Sequence, residues 1–401
     1  MSNLFGSKWK RVKEALVEGL SENRANSMEV VLENTLREYS HQSQNLFENA
    51  SAGATASGNV AALNRVILPM IRRVLPGVIA HEIVGVQPLP GPWGQVHSLK
   101  VKYANTAGGA IAGQEMFAPA HVAQVAAAYS GNENANSAAA ADTTTLEGVA
   151  GNPVQISIDK KLIEAKTRKL SATWTPEAAQ DAQAMHGIDL ESEILTSLAQ
   201  EMVIEIDQEI LGKLRTLPPA PTTRNTFDQS SVSGQATSVV DEFAALAVMI
   251  NDEANQIATR TRRGVGNWIV VSPKALTILQ SARASQFART TEGELEGPTN
   301  TKFVGTLNGQ VKVFVDTFAG SNSSVLVGYK GNTEIDAGTF YCPYVPLTSS
   351  PVIYHPETFQ PTVSFMTRYA WVEFTNRADS LGNSADYLGL VGINANTLTF
   401  Y

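Results

Sequence analysis

One cysteine, Cys342, stands among 401 residues. A disulfide, a zinc ribbon and an iron–sulfur cluster all need partner cysteines, so each is excluded within the chain, and a reducing compartment is the natural reading. Histidine is scarce as well. His41, His81, His97, His121, His186 and His355 include no pair three or four residues apart, so no single helix carries a histidine metal site. Long apolar runs are missing. Stretches such as Trp268–Val271 fall far short of the roughly 20 residues a membrane span needs, and no transmembrane helix is expected. Lys8, Lys10, Arg11 and Lys13 open the chain without the apolar stretch of about 7–15 residues that follows in a secretory signal, so none is read there. Positive charge is in deficit: 30 basic against 38 acidic side chains give a net charge of −8. A dedicated nucleic-acid binder concentrates basic residues to displace phosphate counterions, so sequence-specific nucleic-acid binding is not expected.

Catalytic groups are also missing. Arg263-Gly264-Val265-Gly266-Asn267 resembles the start of a dinucleotide loop, but it precedes a strand and lacks the third glycine; it reads as a turn closing a helix. Gly328-Tyr329-Lys330-Gly331 lacks phosphate-loop spacing and reads as a strand-end turn. Cys342 lies among aromatic residues in a strand-like stretch, which predicts a buried, inert thiol. The basic run Arg260–Arg263 reads as a solvated helix end, with a contact to an acidic neighbouring subunit as the sharper alternative. Glu191/Glu193 and Glu205/Glu209 are expected on the exposed face of a helix, with none shifted in pKa. No catalytic residue, cofactor or metal ligand is assigned, and the chain is not expected to be an enzyme.

What the sequence does contain is organised in blocks. Residues 1–48 carry two short amphipathic helical patterns, Trp9, Val12, Leu16, Val17, Leu20 and then Met28, Val31, Leu32, Leu36, Tyr39, which need a partner to cover their apolar faces. A small-residue linker, Asn49–Asn59, follows. Val96–Tyr103 alternates like a strand. Residues 105–152 are poor in large apolar side chains and read as a protruding arm that orders against something else. Asp189 is a plausible N-cap for a rod of about 26 residues and roughly 39 Å, whose row Leu190, Ile194, Leu198, Met202, Ile206, Ile210, Leu214 marks a buried stripe. A second helix carries Val239, Phe243, Leu246, Ile250 and Ile257. Beyond Gly264 come the strand Trp268–Val271, a helix capped by Ser272-Pro273, and strands Phe303–Leu307 and Val311–Val315 around the hairpin signal Asn308-Gly309. Strands Val325–Tyr329, Thr339–Val345 and Val363–Thr375 complete an α+β chain.

Several segments together carry a family resemblance. They are Gly85-Val86-Gln87-Pro88 with Gly91-Pro92-Trp93-Gly94-Gln95-Val96, Glu164-Ala165-Lys166-Thr167-Arg168-Lys169-Leu170, Glu177–Asp181, and Ala184-Met185-His186-Gly187. Arg263–Asn267, Val327–Lys330, Asp336-Ala337-Gly338, Tyr341–Leu347, Phe359-Gln360-Pro361 and Thr367-Arg368-Tyr369 follow in the same order. In these the chain resembles the major capsid proteins of tailed bacteriophages of the T-even-like myovirus type, which have the Hong Kong 97 fold. The resemblance implies an N-terminal arm, an extended loop lying across a neighbouring subunit, a peripheral domain with a long spine helix, and an axial domain. On this chain it implies residues 1–48 as a scaffold-like helical segment, 49–95 as the N-arm, 96–165 as peripheral strands and extended loop, and 166–263 as the peripheral domain with the spine. Residues 264–352 would then be the axial domain and 353–401 the return to the peripheral domain with a C-terminal tail.

The implied function is a shell protein forming hexameric capsomers, with or without pentamers, around the phage genome. Its partners would be a scaffold protein, a prohead protease, a portal, and cement or vertex proteins. The vertex paralogue is the main alternative; a nanocompartment shell or an enzyme is a more distant one. The family's protease cuts after a glutamate preceded two residues earlier by Leu or Ile. Leu46-Phe47-Glu48 has that pattern and places the cut between Glu48 and Asn49; Leu36-Arg37-Glu38 shares it inside a predicted helix. The large domain that T-even members insert in the extended loop has no room here.

Overall fold

The computed structural model describes residues 17, 25–34, 78–106, 111–116, 129, 143, 147, 151–187, 189–222, 225–228, 239–281, 287–289, 301–320, 324–333, 336–350, 352–375 and 383–394. Glu48, Asn49 and most of the 105–152 segment lie outside them.

A five-stranded sheet is built around β13 (Pro361–Glu373), whose alternating burial follows from the alternation of Val363, Phe365, Thr367 and Tyr369 with Ser364, Met366 and Arg368. It pairs antiparallel with β11 (Thr339–Ser349) and β4 (Lys166–Thr173), while β1 (Gly85–Val86) adds in parallel to β11 and β12 (Ile353–Tyr354) closes the far end. Each face of this sheet covers a separate core. Tyr341, Val363, Phe365 and Tyr369 face a long helix, and Phe340, Cys342, Ala370 and Val372 pack with Leu89, Ile163 and Ala165 on the other side.

That helix, α3 (Leu190–Thr216), starts at the expected Asp189 cap, whose side chain accepts from the Glu191 N–H at 3.2 Å. At 27 residues it is roughly 40 Å long. Before it runs α2 (Pro176–His186), for which no helix was assigned from the sequence. Its punctuation is nevertheless legible: Thr175 caps the Ala178 N–H, Pro176 takes the first position, and Gly187 closes it with φ 66°.

The second sheet has seven strands in the order β5 (Thr226–Asp228), β14 (Leu388–Asn394), β10 (Val325–Gly328), β6 (Trp268–Val271), β9 (Val311–Asp316), β8 (Thr301–Leu307), β7 (Phe287–Arg289). The β8–β9 hairpin turns as Asn308-Gly309 dictates, with φ 54° and 71° at the two turn residues. Helices α4 (Val239–Thr261) and α5 (Pro273–Ser281) cover one face over Ile269, Val271, Val313 and Val327. The opposite face, with Trp268, Val270, Phe314 and Leu326, joins the core around α3. The spine helix therefore ties both sheets together. The C-terminal segment contributes β14 to this second sheet, pairing with β10 and β5, a strand not read from the sequence.

Residues 25–34 are helical, and Met28, Val31 and Leu32 are buried in the α3 core. The short helix α1 (Ala80–Ile83) sits in the same core and leads into β1.

Candidate functional site

The feature that stands apart from the packed body is a two-stranded ribbon. β2 (Trp93–Tyr103) and β3 (Val154–Glu164) pair antiparallel over all 11 residues of each, a length of roughly 36 Å. β3 was not resolved as a strand from the sequence, although Val154, Ile156 and Ile158 alternate with polar residues as a strand requires. Successive side chains point to opposite faces, so Val154, Ile156, Ile158 and Leu162 form one stripe; they are 52%, 67%, 60% and 63% exposed. Trp93, opposite Glu164 on the same face, is 57% exposed. An isolated two-stranded ribbon is marginal in water, and a contiguous exposed apolar face marks an interaction surface.

The ribbon's base is built into the body. Ile163 is buried in the core under the five-stranded sheet, Ala165 N–H donates to the Pro92 carbonyl at 3.0 Å, and Lys161 donates to the Glu373 carbonyl at the end of β13. Farther out, residues 111–116 fold back on β2. Tyr103 N–H donates to Gln114 O and Met116 N–H to Val101 O, and the Tyr103 ring packs tilted against Tyr129 with centroids 4.5 Å apart.

A second exposed apolar surface lies at the opposite end of β13. The turn between β12 and β13 presents Ile353, Tyr354 and Phe359, with the Tyr354 and Phe359 rings 5.4 Å apart. Phe359 has φ 55°, a left-handed conformation that costs a side-chain-bearing residue about 1–2 kcal/mol. It is held there by its N–H to His355 O and by His355 N–H to Gln360 O. The 13 residues of β13 separate this turn from the ribbon base by roughly 43 Å.

Between these surfaces, the segments that carry the family resemblance meet as structural junctions. Arg168 donates to Tyr369, Glu205 and Glu209, and Tyr369 and Lys213 donate to Glu209. The expectation that Glu205 and Glu209 lie on an exposed face is therefore corrected: both are half-buried where β4 and β13 pack over that part of the helix. Burial opposes ionisation of Glu209, but the bonds from Lys213, Tyr369 and Arg168 outweigh it and hold its carboxyl at about 2. Glu191 and Glu193 are exposed as expected.

A second junction joins Arg263–Asn267, Val327–Lys330 and Asp336–Gly338. Arg263 donates to Asp336 at 2.7 Å, Tyr329 Oη donates to the same carboxylate at 3.1 Å, and Asn267 Oδ1 accepts from Lys330 N–H at 3.0 Å. Arg260 pairs with buried Glu253 at 2.8 Å, and Arg262 leaves the helix with φ 56°. Arg260 is thus spent within the chain, which corrects the solvated reading for that residue, whereas Arg262 and Arg263 are exposed at the helix end as expected, Arg263 while paired with Asp336. Cys342 is fully buried, and burial pushes its thiol up to about 12, as an inert cysteine requires. His186 is exposed at the end of α2. Among the described residues, no group of three or more His, Cys, Asp or Glu side chains could hold a metal.

Sequence reasoning missed Asp207, a buried carboxylate on the apolar face of α3. Its Oδ1 accepts from the Ile79 N–H at 2.9 Å, and its Oδ2 has no hydrogen-bond partner among the described residues. Burial raises its pKa to about 7, opposed by the Ile79 bond and reinforced by the charge of Asp316. The unfolded chain releases this proton near 3.8, so between about 4 and 7 the folded chain holds a proton that the unfolded chain has lost. Stability is expected to fall as pH rises across that window and to level off above it. The loss is about 4 kcal/mol at ~1.4 kcal/mol per tenfold change in proton affinity. Asp207→Asn keeps the acceptor for Ile79 and removes the titration. Urea midpoints of the dissociated subunit from pH 5 to 8 are expected to decline in the natural chain and to stay flatter in the variant; parallel curves would refute this. Glu209 works oppositely: its contribution is complete above about 4.5 and is lost as pH falls towards 2.

The family model described as major capsid protein Gp23 matches residues 60–393. The major capsid protein of Vibrio phage KVP40 is 30% identical, over 86% of this chain and 84% of its own. The capsid vertex protein of Enterobacteria phage T4 is 26% identical over 54% of this chain and 52% of its own. Among solved structures, the capsid of Myoviridae phage XM1 aligns with a TM-score of 0.44 at 12% identity, covering 79% of this chain and 90% of that one. The chain belongs to the Gp23 family of major capsid proteins, which form the head shell of tailed phages.

Proposed function

We propose that this chain assembles into hexameric capsomers that tile an icosahedral head around packaged DNA, each copy laying its β2–β3 ribbon across a neighbour. The observation that carries this is the apolar stripe Val154, Ile156, Ile158 and Leu162, which is exposed on the single chain. The strained Tyr354–Phe359 turn, at the far end of β13 from the ribbon, supplies a second apolar contact. Two different surfaces on one subunit favour a head-to-tail arrangement, which closes into rings. Several modest contacts per copy, repeated around a ring, give a stable shell without any single large interface.

The layout favours the same domains with different boundaries: β11, given by the resemblance to the axial domain, lies in the five-stranded sheet, and β5, α4 and β14, given to the peripheral domain, lie with the seven-stranded sheet. The five-stranded sheet with α3 is the peripheral domain, the ribbon is the extended loop, and the seven-stranded sheet is the axial domain. The net charge of −8 suits a wall that confines DNA without binding it tightly. Residues 1–48 engage scaffold during assembly in the host cytoplasm, and the prohead protease cuts between Glu48 and Asn49. Portal, cement and vertex proteins complete the particle, pentamers being made by this chain or by a vertex paralogue. The chain's part is structural rather than enzymatic.

Negative-stain electron microscopy and light scattering on the chain expressed with its scaffold test this reading. Shells, tubes or six-membered rings are expected. A subunit that stays monomeric with scaffold present would overturn it.

A further inference from the structure

The buried helix at residues 25–34 lies in a groove lined by α1, β1 and α3. Met28, Val31 and Leu32, at helical spacing, belong to the same core as Ile83, Val84, Leu195 and Met202. Ser27 and Asn34 are buried beside them, whereas Glu33 on the opposite side is exposed.

Asn34 fixes the register of this docking. Its Nδ2 donates to Leu89 O at 2.8 Å and to Tyr344 O at 3.1 Å. Both acceptors lie where strand pairing gives out. The parallel pairing of β1 with β11 continues through Gln87 N–H to Tyr341 O and Leu89 N–H to Pro343 O, and then stops. Tyr344 falls in the bulge where the β11–β13 ladder skips from Pro343 to Val345. Buried carbonyls need donors, and one amide group supplies both. Neither an apolar side chain nor a carboxylate at position 34 would do so.

We propose that this groove, between the β1–β11 edge and α3, is a helix-binding site whose occupant is the chain's own residues 25–34. The segment braces the Gln87–Leu89 strand extension on β11, and a cut in the following linker leaves it bound. Severing the chain and losing the segment are then separate events: the core stays closed after the first and opens at the second.

The test uses the full chain with a specific protease site inserted in the Asn49–Asn59 linker, cut and passed through gel filtration without denaturant. The natural fragment is expected to elute with the body. Asn34→Ala, which removes only the two hydrogen bonds, is expected to release it at least tenfold faster, and Leu32→Asp to retain none. A natural fragment that separates at once, or equal retention in all three, would overturn the proposal. Hydrogen exchange on the uncut Asn34→Ala chain gives a reading that survives any folding failure of Leu32→Asp. The Gln87 and Leu89 amides should exchange at least tenfold faster while those of β6, β9 and β10 are unchanged; no difference at Gln87 and Leu89 would contradict it. The cut is engineered and the readout is retention, so the result is independent of shell formation and of natural cleavage at Glu48.

Discussion

Replacing Ile156 and Ile158 together by aspartate is expected to abolish shell formation while leaving the subunit folded. Both side chains are more than half exposed in the single chain, so little native packing is lost, and exposed substitutions of this kind usually change stability by about 0.5 kcal/mol or less. Assembly is another matter. Burying a carboxylate without a partner against an apolar neighbour costs several kcal/mol, and the cost recurs at every copy in a ring. The expected result is an unchanged circular-dichroism melt with no particles in the electron microscope. Replacing Gln155, which is exposed on the opposite face of β3, by alanine should leave particles intact. Normal shells from the double aspartate variant would show that the stripe is not an assembly surface.

Gly328→Ala is expected to have the largest effect on the fold itself. Gly328 lies in β10 beside Trp268 of β6, and a Cβ there would overlap the indole ring. Trp268 is fully buried at the core that joins the two sheets, so the ring has nowhere to retreat. Overpacking a core typically costs 1–3 kcal/mol and occasionally more, and this site belongs at roughly the top of that range. Gly212→Ala is the opposite case. This glycine is exposed within α3, with nothing within 4 Å of an added Cβ. Removing a helical glycine there should stabilise the chain by about 0.5–1 kcal/mol. Urea unfolding of the soluble subunit separates the two; a neutral Gly328→Ala would mean that the tryptophan is not confined as described.

The sequence made the long periodic elements legible because their signals are local. Asp189 and its heptad-spanning apolar row define α3, Ser272-Pro273 starts α5, and Asn308-Gly309 fixes a hairpin with both turn residues at positive φ. The ribbon's outgoing strand was recognised but its return was not, because Val154–Glu164 follows a segment poor in bulky residues and shows its apolar face to solvent. β14 was missed for a similar reason: its neighbours β5 and β10 are far away in sequence, and its run Leu388–Asn394 contains two glycines.

The site was legible only as a set of motifs. The sequence could not say that Arg168, Glu209 and Tyr369 meet, because nothing local in a helix carboxylate reveals that two strands will cover it. Asp207 shows the limit most clearly: an aspartate inside an apolar stripe looks like an interruption until the Ile79 amide is placed against it. Residues 1–48 were read as needing a partner; for 25–34, that partner is the chain's own core.

Cryo-electron microscopy of assembled shells tests the account most directly, by locating the ribbon. The expected map shows β2 and β3 leaving one subunit and lying over the next, with Ile156 and Ile158 buried against the neighbour. A map in which the ribbon folds onto its own subunit, or stands in solvent with its apolar stripe uncovered, would contradict the account.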